Sequence, residues 1–415
     1  MDPSDTVRIE VLRPKNVPEG LLAQSNIVRH VPSRAKNINQ ILDFASKSNV
    51  TNEMLIKVGL RMNGNLLFGS NHRCVAMLIV FKSIMDDLNI TSGHSPSLQR
   101  QSSFDMSKSS AFSSTRPLGE LQQTLKRALD FLDFCRPLSV SMTNAFKVLN
   151  EEILKLNQAD ANKAIADIKL DQERSPSSPA AGIAGSGSNQ HESESFEAQK
   201  QQLKSFIDRF IDEEIWSAQR GICENISGNI TAKDVILVYG CSTIVQHVLL
   251  HAKTRGKNFR VIVVDSPPHF NGRRMLSFLN SNSIDVSYTL INSLSYVMRQ
   301  PTKVLLGANS MLANGYVMSH IGTSQVALMA RASNVPTLVC CETYKLSDRV
   351  YVDSFGCNEV DSGNEIASAL NLRYDLTPPE FVSMVINEKS TVPAESVPAL
   401  LRFRAEKTKT SLYTP

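Results

Sequence analysis

Residues 303–345 read KVLLGANSMLANGYVMSHIGTSQVALMARASNVPTLVCCETYK. Val304 to Leu306 is a short apolar run, broken by the small residues Gly307-Ala308-Asn309-Ser310. Asn314-Gly315 demands a tight turn, because glycine accepts φ > 0 freely and asparagine accepts it better than most. An amphipathic helix is predicted from about Met318 to Ala332, closed by Asn334-Val335-Pro336. Thr337 to Cys341 is a second β-rich run. Strand, turn, helix and strand in this order are a unit of a parallel α/β sheet, and ligands collect outside the carboxyl ends of such strands. The stretch therefore contributes candidate pocket residues Asn314, Gly315 and Lys345.

The same alternation continues upstream. Strands are predicted at 235–239, 260–265, 286–291, 303–306 and 337–341, separated mostly by helical patterns. This predicts a Rossmann-like parallel sheet with crossover helices on both faces. The adjacent Cys340 and Cys341 should point to opposite faces of it. Residues 27–156 carry helical periodicity instead. Examples are Val75, Leu78, Phe81 and Met85 on one stripe, with Asn71 as its cap, and Leu118, Leu121, Leu125 and Leu132 on another, stopped at Arg136-Pro137. The expected class is α/β, an N-terminal all-helical domain followed by the sheet domain. Residues 1–26 are expected to be flexible, 91–116 a mobile Ser-rich insertion, and 157–195 a disordered linker. Residues 196–404 should hold a long connecting helix and the sheet domain, and 405–415 a flexible tail. Arg100 lies three residues before Ser103, a spacing that a basophilic kinase accepts and that serine richness explains equally.

The 415 residues suffice for a large core in two domains, with a net charge of +4. That balance speaks against a dedicated nucleic-acid binder. The N-terminus lacks a basic-then-apolar leader layout, and the longest apolar run, Val75 to Phe81, is too short to cross a bilayer. Seven cysteines without a C-x-x-C pair fit buried thiols in a cytosolic protein better than a disulfide framework. Neither a cofactor nor a metal is expected.

Gly240-Cys241-Ser242-Thr243 joins the first strand to a helix, where backbone N–H groups can hold a phosphate or where Ser and Thr can simply cap. No Gly-rich dinucleotide or P-loop pattern accompanies it. Cys241 could be a nucleophile, yet nothing in the sequence places a base beside it. His247 and His251 share a helix face but lack the glutamate of zinc hydrolases and a third ligand. Asp265 closes the second strand, as a ribose contact or as a turn acceptor. Arg273 and Arg274 open the next helix, as an anion site or as surface charge.

VILVYGCST, VVDSPPHFNGRRML, the quoted stretch and YDLTPPEFVSMVI resemble, in order, the alpha/beta/delta regulatory-subunit family of the guanine-nucleotide exchange factor for eukaryotic translation initiation factor 2. GSNHRCVAML and CRPLSVSMTNAFKVLNEEI match its helical domain, and the CRPLS and CCETYK versions are similar to its delta branch. The resemblance covers roughly residues 27 to 404 outside the two Ser-rich segments. It implies a non-catalytic role in translation initiation, in the cytosol, within a heterodecamer with the alpha, beta, gamma and epsilon subunits. It also implies sensing of the phosphorylated alpha subunit of initiation factor 2, without direct nucleic-acid or membrane contact. Most delta relatives carry a long charged N-terminal extension, of which this chain shows almost none. The wider superfamily includes sugar-phosphate isomerases that use a Cys at the first strand-to-helix turn and an Asp after the third strand. The matching positions here are Gly240, with Cys241 one step away, and Asn292 or Ser293, and Pro267 replaces the family's Arg. A vestigial pocket is expected at Gly240, Cys241, Ser242, Thr243, Asp265, Asn314, Gly315 and Lys345. Subunit contacts are expected from Tyr316, Val317, Met318, Ile321, Tyr351 and Phe355. The alternative is a sugar-phosphate isomerase, or a sensor of such compounds.

Overall fold

The computed structural model describes residues 37–88, 117–173, 188–355, 358–359 and 372–410. The readings of a flexible 1–26, of the insertion 91–116 with Ser103, and of the last residues of the tail lie outside these. Among the described residues, six helices form the front half: α1 (Ile38–Lys47), α2 (Glu53–Asn63), α3 (Ser70–Asp87), α4 (Pro117–Cys135), α5 (Val140–Glu173) and α6 (Ser188–Phe210). Their apolar stripes meet in one core that includes Leu78, Phe81, Leu125, Phe131, Met142 and Leu149. Gly59 lets α2 and α4 approach closely, since a Cβ there would lie 2.7 Å from the Phe131 ring.

Two sequence expectations change here. Asn71 does not cap α3. The helix starts at Ser70 behind Gly69, whose φ is 75°, and Asn71 is turned inward. The expected linker 157–195 is helical over 157–173 and again from Ser188. Residues 157–173 contain neither Gly nor Pro, and Ala is their commonest residue, so nothing local stops α5. The Ser/Pro/Gly composition that suggested a linker starts only around Ser175. Similarly, helix α12 (Val397–Thr410) runs into the expected flexible tail.

α6 passes through a π-helical turn, Ile211–Ser217, into α7 (Ala218–Ser227). Ile215 belongs to the helical core and Ile222 to the sheet core, so one continuous helical segment is shared by both halves. The sheet strands are β1 (Val235–Tyr239), β2 (Arg260–Asp265), β3 (Asp285–Leu290), β4 (Lys303–Gly307), β7 (Thr337–Cys340), β9 (Met384–Ile386) and β10 (Thr391–Val392). Their order is β10-β9-β7-β4-β1-β2-β3, parallel except for β9 with β10. Between strands run α8 (Thr243–Thr254), α9 (Gly272–Ser281), the short α10 (Leu294–Val297) and α11 (Thr323–Ala332). Cys340 packs in the core on one face and Cys341 in the core on the other, as the period of two requires.

The quoted stretch holds one element more than its periodicity suggests. Val317–His320 is strand β6, and the helix begins only at Thr323. β6 pairs antiparallel with β5 (Ser310–Met311) and with β8 (Tyr374–Thr377) in a small second sheet. Gly315 turns the chain with φ 82°, and Gly322 breaks it again with φ 98°. Four residues before a helix offer too short a window to separate period two from period 3.6.

Candidate functional site

The chain runs β1, β2, β3 to one edge and returns as β4 on the other side of β1. A crevice opens at such a reversal, outside the carboxyl ends of the strands. Here it is a cavity of about 180 Å³ between the sheet ends and the helical half. Gly240, at φ 59°, turns the chain out of β1, and Cys241, Ser242 and Thr243 line the cavity up to the start of α8. The Ser242 hydroxyl makes no helix cap and instead packs on Gly307. A Cβ at Gly307 would sit 2.0 Å from that oxygen, so β4 requires glycine at its end.

Asp265 is buried at the end of β2. It accepts from the Ser266 N–H at 2.9 Å and from the Tyr288 hydroxyl at 2.8 Å. Both bonds are internal, as for a turn acceptor. Burial pushes the Cys241 thiol up to about 11; Arg274 favours its ionisation without offsetting that burial, and Asp265 opposes it more weakly. A thiol in that state is a poor nucleophile near neutral pH. Asn292 and Ser293 fall in a short 3-10 turn and do not line the cavity. Of the histidines, His247 Nδ1 lies 2.8 Å from the Thr243 carbonyl oxygen.

The helical half supplies the opposite wall. Arg73 from α3 and Arg136 just after α4 line the cavity, joined by Arg274, Lys345 and Arg373 from the sheet half. Among the described lining residues, these five cations share the cavity with one carboxylate, Asp265. Arg274 lies 3.4 Å over the Phe68 ring, so it bridges the two halves at the rim. Lys345 pairs with the fully buried Glu342 at 2.8 Å, and Glu342 accepts from Asn71 Nδ2 at 2.7 Å. Tyr344 inserts into the helical core, and Asn144 donates to the carbonyls of Tyr344 and Leu346, each at 2.9 Å.

Glu359 gathers the remaining cations. Its carboxylate lies 3.0 Å from Arg136 Nε, 3.7 Å from an Arg73 nitrogen and 3.9 Å from Arg373 Nε. Arg73, Arg136, Glu359 and Arg373 were all missed as site residues by sequence reasoning. They lie up to 300 positions apart; Arg73, inside GSNHRCVAML, and Arg136, inside the CRPLS block, belonged to motifs, whereas Glu359 and Arg373 belonged to none. Conversely, Asn314 and Gly315 do not line the cavity. Asn314 Nδ2 donates to the Tyr351 carbonyl at 2.8 Å, and Gly315 abuts the Ala394 carbonyl.

Residues 66–394 match the initiation factor 2 subunit family. The chain belongs to this family. It is 31% identical over 370 residues to the translation initiation factor eIF2B subunit delta of Schizosaccharomyces pombe, covering 84% of this chain and 68% of that one. The delta subunit of Dictyostelium discoideum is also 31% identical, over 85% of this chain and 51% of its own length. A ribose 1,5-bisphosphate isomerase of Pyrococcus furiosus is 32% identical, over 47% of this chain and 65% of its own. The fold matches a chain of the tetrameric eIF2B-beta2-delta2 complex from C. thermophilum with a TM-score of 0.66 and 23% identity, covering 88% of this chain and 97% of that one.

For this family member, the expected contact residues divide. Val317 and Met318 are 1% and 5% exposed, inside β6, and take no part in a surface. Tyr316, Tyr351 and Phe355 are half-buried, and Ile321 is exposed. Two further residues of the expected contact region Leu346 to Phe355, Val350 and Val352, are 61% and 72% exposed. Their signal was their place in a predicted contact segment, but periodicity does not separate outward from inward residues in an irregular loop.

Proposed function

We propose that this chain is the delta regulatory subunit of the exchange factor that promotes GDP/GTP exchange on translation initiation factor 2. The observation that carries the reading is the 31% identity to the fission-yeast delta subunit across most of this chain. In this reading it assembles with the alpha, beta, gamma and epsilon subunits and presents its helical half to the alpha subunit of initiation factor 2. Tyr316, Ile321, Val350, Tyr351, Val352 and Phe355 form the contact surface, because exposed apolar and aromatic side chains are what interface centres use. Affinity capture of the tagged chain, with its partners identified by mass, tests it. Recovery of beta, gamma and epsilon is expected, and a partner-free monomer would overturn it.

The chain acts in this reading without bond chemistry of its own. The raised Cys241 thiol and the distance of Asn292 and Ser293 from the cavity support this against the isomerase alternative. Incubation of purified protein with aldose phosphates is expected to give no ketose. Turnover that disappears in Cys241→Ser would restore the alternative.

A further inference from the structure

We infer that Arg73, Arg136 and Arg373 form an oxyanion site that the chain fills with its own side chain, the carboxylate of Glu359. The proposal goes beyond the regulatory-subunit reading and does not depend on it. Three guanidinium groups from three places in the chain converge on this one carboxylate, which is 4% exposed. The Tyr374 hydroxyl donates to the same carboxylate at 3.4 Å. Planar forks and a phenol around one centre are the donor set that binds phosphate or sulfate from solution. Two of the arginines, Arg73 and Arg136, come from the helical half, while Arg373 and Glu359 come from the sheet half. Without an anion between them, their mutual repulsion would oppose closure of the two halves.

Two further observations fit a ligand position rather than an ordinary ion pair. The carboxylate is held in place by a dedicated clamp. Asn358 Oδ1 accepts from the Glu359, Arg373 and Tyr374 N–H groups at 2.9, 3.2 and 3.0 Å. Arg73 Nε is buried with no partner, so the cluster retains donor capacity that a carboxylate does not saturate and a tetrahedral oxyanion does. Burial and the Arg136 charge beside it hold Arg73 down to about 10, which agrees with crowded cations. The arginines line the 180 Å³ cavity, and Glu359 and Tyr374 line a second cavity of about 410 Å³. Tethering fixes the anion at a high effective concentration, so closure no longer waits for a ligand.

The test is thermal unfolding of the full chain and of Glu359→Gln, in chloride and in inorganic phosphate at matched ionic strength. The variant is expected to melt lower in chloride and to recover saturably in phosphate. Its phosphate affinity should exceed that of the unmodified chain by about tenfold or more, ~1.4 kcal/mol. Arg136→Met added to Glu359→Gln should abolish the response. A phosphate response no larger than that of the unmodified chain, or one that survives Arg136→Met, overturns the proposal. Should Glu359→Gln fail to fold in chloride, restoration by phosphate supports it. Failure in both buffers moves the decision to Glu359→Asp, whose shorter side chain keeps the charge. A phosphate response above that of the unmodified chain then supports the proposal, and an equal one overturns it. Partner capture by the unmodified chain is a separate measurement, so the two readings fail separately.

Discussion

The two walls of the interdomain cavity are built on different principles. On the sheet side, glycines, hydroxyls and backbone at the ends of β1 and β4 lie within one or two residues of a strand terminus. Facing it, Arg73 and Arg136 of the helical half meet Glu359 and Arg373 of the sheet half, and their geometry depends on how two cores dock. The first wall is local and steric, whereas the second is long-range and electrostatic. The contrast teaches that an inherited crevice can keep its shape on one wall while its charge balance is set on the other.

The largest effect should come from the electrostatic wall. Arg136→Met removes the guanidinium nearest the Glu359 carboxylate, and breaking a buried pair costs about 3–5 kcal/mol. Chemical denaturation of the variant checks this. A loss under about 1 kcal/mol would mean that Arg73 and Arg373 suffice alone. The steric wall should respond less. Gly307→Ala places a methyl onto the Ser242 hydroxyl, an overpacking cost of about 1–3 kcal/mol. Gly307→Ala combined with Ser242→Gly should recover most of it, read by the same denaturation curve.

A third prediction separates burial from pairing. Asp375 accepts from the Gly322 and Ser324 N–H groups at 2.8 and 2.9 Å at the start of α11. Burial nonetheless pushes its pKa up to about 7 from an ordinary 3.8, outweighing those two bonds. The folded state therefore holds this proton more tightly than the unfolded chain does. The contribution is fully present below pH 3.8 and is lost as pH rises through about 7. The slope of melting temperature against pH over that window should be shallower in Asp375→Asn than in the unmodified chain. An unchanged slope would assign the dependence to other groups. The smallest effect belongs to the solvent-facing pair Lys82 and Asp208, 2.7 Å apart between α3 and α6. Asp208→Ala should cost about 0–1 kcal/mol and less at high salt. A larger loss would show that surface charge also holds α6 in place.

Legibility followed the same division. The strands at 235–239 and 260–265 were read at their observed bounds, because a buried parallel strand is a continuous apolar run. Gly240 to Thr243 and Asp265 were placed on the cavity because strand ends are local features. The helix proposed from Met318 swallowed β6, which is extended between β5 and β8, and β8 begins 54 positions later at Tyr374. Helicity in 157–173 was masked by composition averaged with the Ser/Pro/Gly segment that follows it. Val317 and Met318 were taken for surface because an apolar residue in a loop-like segment carries no mark of the sheet that will cover it.

By itself the sequence determined the alternation of strands and helices, the division into a helical and a sheet half, and the family. The first two rest on interactions within a few residues, where side-chain period and backbone preference act directly, and the family on the resemblance of motifs in one order. Only the tertiary structure decided that Arg73, Arg136 and Arg373 meet one glutamate, that Tyr344 enters the helical core, and that Cys241 is too desolvated to ionise readily. Those outcomes depend on burial and charge separation between segments far apart in the chain, and neither quantity exists until the two cores dock.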